Sequence, residues 1–357
     1  MKSNKFYRIL RLAGAYVACA IGSGFATGQE IIQFFTAQGT NSIWGTIVTA
    51  LLFSWCGAVF MKHGYKYRLS DPQSIIIFYC GEKVGKYVEI AIQIFLFGVY
   101  CIMIAGAGAT LQEHYGISPI TGRAIMSILC VITVILGLSK LTDILGGIGP
   151  VIIVFVLFIG IASIVSPAGT LSGANELAAT SDMVKAKGGW LWSSILYPGY
   201  NAIIVLFLCC SIGKEAESEN EAVWGGVLGG LLFGAAITIM NAGLLLNLGE
   251  IYSKAVPTLE LARKMSSLFA VVFSIIICCG IYTTAVPMLW GCVRHFAEDR
   301  TKKSVVSAVL ICIAGFLLGL TDFRTLVNII YPFSGYFGIA LLIIAGYRDY
   351  SSRKLDC

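Results

Sequence analysis

The sequence predicts an all-α integral membrane protein, ten transmembrane helices arranged as two halves of five. Three observations predict it. The composition is 57% hydrophobic and only 12% charged, with mean hydropathy +0.83. Apolar runs of about 20 residues, the length that crosses a bilayer core, recur along the chain. Glycine and proline interrupt the first of these runs in each half. Nothing in the composition leaves room for a soluble domain, and residues 1–357 read as one transmembrane unit.

The predicted segments are 10–36, 42–62, 85–112, 119–138, 144–166, 189–212, 222–247, 266–293, 304–321 and 325–346. Before the first lies a short basic stretch, Met1 to Arg11, without a clean small-residue cleavage site. It reads as a cytoplasmic flank rather than a signal peptide. An even number of crossings puts both ends on one side. With the N-terminus inside, 18 of the 25 Lys and Arg fall on the cytoplasmic side, Lys2, Lys62, Lys140, Arg300 and Arg348 among them, and 7 outside. The positive-inside rule therefore favours a plasma-membrane protein with both termini cytoplasmic. The same distribution accounts for the net charge of +6, so no nucleic-acid partner is implied.

Segment one carries Ile21-Gly22-Ser23-Gly24 in its middle. Two glycines around a serine weaken a helix at a depth where lipid normally demands one. Such backbone is tolerated where protein buries it or where it lines a cavity. Close helix packing on small residues is the competing explanation. Segments two to five follow, and a polar external connection from Ser166 to Gly188 then divides the chain. Five helices on either side must insert with opposite topology, the arithmetic of an inverted repeat over about 8–166 and 189–346. Segment six carries Tyr197-Pro198-Gly199-Tyr200-Asn201, and a second broken helix is expected there. Between segments seven and eight, Val256 to Lys264 reads as a short helix over the external face. Thr258 is its expected N-cap and Glu260 lies in its first turn.

Corresponding interruptions point to a central site. Unwinding frees backbone N–H groups near Ser23, Gly24 and Phe25, which favour a carboxylate. Freed carbonyls at Ala18 and Ile21 favour a cation or ammonium group. A small amino-acid-like or amine solute suits both. The expected substrate-binding residues are Gly22, Ser23, Gly24, Phe25, Tyr197, Tyr200 and Asn201. Gln93, Tyr100, Asn241, Tyr331 and Ser334 are further polar residues able to line a cavity, each more simply read as an interhelical hydrogen bond. Glu30 lies two turns beyond the break, and an intramembrane acid is a functional residue by default. It can carry a proton, pair with an ammonium group or gate the pathway, and a hydrogen bond to Gln29 or Gln33 is the plainer alternative.

The stretch Ile21-Gly-Ser-Gly-Phe-Ala-Thr-Gly-Gln-Glu30 resembles the opening of the YkvI-type membrane proteins, a branch classed among amino-acid permeases. Its first four residues resemble the helix-one signature of the amino acid–polyamine–organocation superfamily. Chain length, ten segments and Ser211-Ile-Gly-Lys-Glu215 fit the same group. The resemblance implies the five-plus-five fold of the bacterial leucine transporter and a secondary transporter working by alternating access, with symport of sodium or a proton. It also implies that helix eight faces the helix-one break. Gly280, Thr283 and Thr284 then join Ala18 and Ile21 as a candidate sodium site; no other cofactor is expected. Threonines that bond their own helix are the ordinary alternative. The lysine that replaces sodium in some superfamily members is missing from segment five, Gly146-Gly-Ile-Gly-Pro-Val.

A sensor subunit of the germinant-receptor kind, on the same fold and without net transport, is the alternative function. The charged run Lys214 to Glu221 would then contact a partner. An enzyme is not expected, because no metal-protease motif, phosphate loop or paired catalytic acids are present. The 12 cysteines lie mostly within apolar runs and read as core residues. A small-molecule substrate and the bilayer are the implied partners; oligomeric state is left open.

Overall fold

A computed structural model describes residues 5–137, 142–299 and 301–355. Lys2, Lys140 and Arg300 of the charge tally lie outside the described residues. The apolar segments all fold as helices, and no strand occurs among the described residues. Segment one is three pieces, α1 (Lys5–Ala20), α2 (Ser23–Thr27) and α3 (Gln29–Phe34). Then come α4 (Asn41–Tyr67), α5 (Pro72–Tyr115), α6 (Pro119–Leu136) and α7 (Thr142–Val165). The external connection contains α8 (Leu171–Thr180), a helix absent from the sequence expectation, with Thr170 accepting from the Gly173 N–H as its N-cap. The second half runs α9 (Gly189–Lys214), α10 (Glu219–Leu245), α11 (Leu248–Ile251), α12 (Pro257–Met265), α13 (Ser267–Phe296), α14 (Lys302–Leu318) and α15 (Phe323–Leu355). Eight of the described helices are long and apolar enough to cross a membrane. Segment one is excluded by its breaks, and α14 by a length of 17 residues.

The expected break in helix six is absent. α9 runs through Pro198 without interruption. Proline supplies no N–H to the carbonyl four residues back, so Ser194 loses its helical partner. The Thr49 hydroxyl of α4 donates to that carbonyl at 2.8 Å and replaces the lost bond. The glycine beside the proline serves packing instead. A Cβ on Gly199 would lie 2.6 Å from the Gly335 carbonyl oxygen, so only glycine lets α15 approach this closely.

Backbone approach organises the same layer elsewhere. A Cβ on Gly226 of α10 would collide with the Gly57 backbone of α4, and one on Gly213 of α9 would meet Met61. The α1 helix lies against α10 and is tied there by Arg8, whose guanidinium pairs with Glu221 and Glu217. At the end of the bundle carrying Arg8, Lys62 of α4 reaches Asp349 of α15 at 3.1 Å. Helices α4, α9 and α10 thus form a closely packed group, while α5, α13 and α14 pack on one another, with α15 between α9 and α5. The pieces of segment one lie between them and place the break near the centre of the molecule.

Candidate functional site

The break expected at Ile21 to Gly24 is present. α1 ends at Ala20, Gly22 is extended (φ −95°, ψ −176°), and α2 begins at Ser23. A second break follows at Gly28, which adopts the left-handed region (φ 76°) where a side chain is strained. The structure adds a packing reason, because a Cβ there would sit 2.8 Å from Thr258 Cγ2. Thr258 is not the N-cap of its helix; Val256 holds that place, with Pro257 in the first turn. The Thr258 hydroxyl instead donates to the Ala26 carbonyl at 2.6 Å and satisfies backbone that the break released. Helix α12 therefore covers the broken segment, as its sequence suggested, with its threonine in a different role.

Glu30 is the centre of the arrangement. Residue 30 is 6% exposed, and its partners are neither Gln29 nor Gln33. The Tyr200 hydroxyl donates to its Oε2 at 2.5 Å and the Tyr197 hydroxyl at 3.3 Å. The Tyr331 hydroxyl of α15 lies beside the same carboxyl. The Tyr331 and Tyr200 rings stack at 4.4 Å, and Phe34 closes the nest 5.3 Å from Tyr197 and 5.6 Å from Tyr200. The side chain folds back over α2, so that a Cβ on Gly24 would fall on the Glu30 carboxylate and lie 3.3 Å from the Tyr331 hydroxyl. Two helices, α9 and α15, thus deliver three phenols to one acid, and Gly24 leaves the room that acid occupies.

A second cluster lies on the α13 side of the break. The Ser23 hydroxyl reaches Thr284 Oγ1 at 3.2 Å, and its alternative acceptor is Met103 Sδ at 2.8 Å. Thr283 and Thr284 both donate to the Gly280 carbonyl, at 2.9 and 3.0 Å, so their hydroxyls are committed to their own helix. A Cβ on Gly280 would stand 3.5 Å from Ser23 Cβ, and one on Gly149 of α7 would stand 3.3 Å from the Ala18 carbonyl oxygen. Ile21 is buried and its N–H bonds the Val17 carbonyl.

Ser23, Gly280 and Thr284 therefore meet, and so do Gly24, Glu30, Tyr197 and Tyr200. Two expected residues stand apart. Asn201 donates to the Tyr197 carbonyl of its own helix at 3.0 Å, and Phe25 packs on Phe233 of α10 at 5.9 Å. Gly22 faces open space. Thr258, Gly28 and Met103 had no binding role in the sequence reading, and Tyr331 stood there only among the residues able to line a cavity, read more simply as an interhelical hydrogen bond. A usable signal existed for Tyr331, because Tyr331-Pro332 in α15 repeats the Tyr197-Pro198 of α9.

No family model matches the chain. It is similar over most of its length to two proteins of Bacillus subtilis (strain 168). The uncharacterized membrane protein YkvI is 24% identical over 335 residues, covering 93% of each chain. The uncharacterized protein YyaD is 26% identical over 332 residues, covering 90% of this chain and 91% of its own. Among solved structures, the inward-facing conformation of Mhp1 superposes with TM-score 0.67 at 14% identity, covering 94% of this chain and 74% of that one. The Eremococcus coleocola manganese transporter bound to an aromatic bis-isothiourea compound gives TM-score 0.62 at 14% identity, covering 98% and 80%. The solved neighbours are transporters rather than enzymes. The chain is a multi-pass membrane protein with the helical transporter fold of Mhp1.

Proposed function

We propose that the chain is a secondary transporter that moves a small amino-acid-like or amine solute by alternating access. Its site lies at the break of segment one, and its coupling ion is sodium or a proton. In this reading ten segments cross the plasma membrane as two inverted halves, with both termini cytoplasmic. The observation that carries it is the buried Glu30 carboxyl, held by Tyr197, Tyr200 and Tyr331 directly over Gly24. An acid at this depth is costly unless it serves a cation. The carboxyl also refines the expected chemistry. It fills the space over Gly24, so the solute's positive end, more than a carboxylate, is what this wall favours. Ser23, Gly280 and Thr284 supply the oxygen atoms of a neutral cation site, with the Ala18 and Ile21 carbonyls as further donors.

The test is uptake into proteoliposomes across a panel of amino acids and amines, with sodium and pH gradients imposed separately. Uptake of an amine-bearing solute that Ser23→Leu abolishes is the expected result. No uptake, and no ligand-induced thermal shift, across the panel would overturn the reading. The sensor alternative relied on the charged run after α9. Glu217 and Glu221 of that run pair with Arg8, and Lys214 Nζ donates to Ser70 Oγ at 2.7 Å. Lys214, Glu215, Glu217, Glu219 and Asn220 nevertheless stay exposed, so the run is open to a partner, and binding without uptake in the same assay would mark the sensor.

A further inference from the structure

We infer that Glu30 is a shared carboxyl, which carries a proton while the site is closed and gives up that proton to pair with the ammonium group of the solute. The inference rests on the transporter reading and assigns its coupling to one residue. It starts from a missing counter-charge. Among the described residues no Lys, Arg or His lies within ion-pair distance of Glu30. The groups that face it are the phenols of Tyr197 and Tyr200 from α9 and of Tyr331 from α15. The neighbouring polar side chains are neutral. Gln33 donates to the Arg324 carbonyl, and Asn241 of α10 is engaged with Thr36 and Ser42. Arg324 itself turns away, toward the Ser253 carbonyl and Asp322.

A carboxylate buried without a cation neutralises itself by binding a proton. Phenol donors lessen the penalty of the charge without cancelling it. The same acid stands ready for an organic cation, because aromatic faces and a carboxylate together recognise ammonium groups. Proton and ammonium cannot both be held. The exchange is balanced: a protonated Glu30 and R–NH3+ give the carboxylate–ammonium pair and one proton released to water, with no redox step. Exchange at one carboxyl couples the two gradients without a separate proton site. Linkage then fixes the pH dependence. While Glu30 is protonated in the free protein, each unit fall in pH weakens apparent amine affinity about tenfold.

The experiment uses the full-length protein in lipid nanodiscs. Infrared difference spectroscopy follows the protonated-carboxyl stretch, and proton release is measured in weakly buffered solution. Propylamine, ethanolamine, putrescine and leucine are the probes, each also tested for flux. The expected result has three parts. The wild type shows a protonated-carboxyl band at neutral pH that Glu30→Gln lacks. Tyr200→Phe keeps the band and shifts its frequency. A transported probe erases the band, releases about one proton per molecule bound, and shows the tenfold slope. A wild type without the band, or a transported probe that binds and leaves the band intact, overturns the exchange while the transporter reading stands. Failure of every probe to bind or move overturns both.

Discussion

Replacing Gly24 by alanine tests the geometry around Glu30 without any knowledge of the solute. Backbone conformation does not forbid alanine there, since Gly24 lies inside α2 and has no positive φ. In an ordinary helix the change is stabilising by about 0.5–1 kcal/mol. Here the new methyl coincides with the Glu30 carboxyl and crowds the Tyr331 hydroxyl at 3.3 Å. The carboxyl has to leave its nest. Its bond from Tyr200 is short at 2.5 Å, and that from Tyr197 is long at 3.3 Å. A hydrogen bond to a charged group contributes about 1.5–3 kcal/mol and one between neutral groups about 1 kcal/mol, so displacement costs about 1–3 kcal/mol through the Tyr200 bond alone. Removing the acid removes the conflict. In a Glu30→Ala background the methyl enters vacated space and Gly24→Ala becomes neutral or stabilising. The double-mutant cycle therefore yields a coupling of at least about 1 kcal/mol between positions 24 and 30. Steric-trapping measurements of unfolding free energy in detergent give the four corners. An equal effect of Gly24→Ala in both backgrounds, within about 0.5 kcal/mol, refutes the placement of Glu30 over Gly24.

Three other perturbations follow from separate contacts. Thr49→Val leaves the Ser194 carbonyl buried and unpartnered, and costs about 1–3 kcal/mol of unfolding free energy. Pro198→Ala restores a helical N–H to that carbonyl, so the same threonine change in the Pro198→Ala background is nearly neutral, and an unaltered cost contradicts this account of why α9 stays whole. Thr284→Ala removes one of the two acceptors of the Ser23 hydroxyl and one donor to the Gly280 carbonyl. If sodium binds here, half-saturation by sodium in uptake rises about tenfold or more; unchanged sodium dependence eliminates the site. Gly22→Cys is tolerated, because nothing lies within 4 Å of the added Cβ. A membrane-impermeant thiol reagent applied to the face carrying α1's N-terminus labels it, by mass-spectrometric mapping, and no labelling of the folded variant argues against a watery path to the break.

The helices were legible because each depends on its own residues. Apolar length, a proline at the start of α6 and α12, and turn residues between segments are local signals, and they place most elements to within a few residues. The exceptions are α5, which begins at Pro72 rather than 85 with a break at Gly81 (φ 71°, ψ 172°), and α15, which runs on to Leu355 rather than 346. Legibility fails where a distant residue changes the outcome. Pro198-Gly199 reads as a break, and by itself it is one. Thr49, about 150 positions earlier, supplies the missing bond and keeps the helix intact. Gly28 looks like any glycine between polar neighbours, and only the fold shows that Thr258 of α12 arrives where a side chain at this position would lie. Local sequence likewise offered Glu30 two amide neighbours, whereas the fold gives it tyrosines from two helices more than 160 residues away.

These distant contacts also constrain how the segment can move. α2 and α3 are short, so few helical bonds hold them, and their position depends on neighbours. One restraint is Thr258 on the Ala26 carbonyl, another is Ser23 on Thr284, and the third is the grip of Tyr197, Tyr200 and Tyr331 on Glu30. The first two are neutral hydrogen bonds worth about 0.5–1.5 kcal/mol each. The third is the strongest, and it is the one whose strength changes with the charge of the acid. Charging Glu30 against a bound cation tightens its hold on α9 and α15, and neutralising it with a proton loosens that hold. α9 and α15 are packed backbone to backbone at Gly199 and Gly335, so the three phenols sit on one closely packed helix pair. On the proposed exchange, occupancy at one carboxyl would thereby set how firmly the broken segment is clamped to the rest of the bundle.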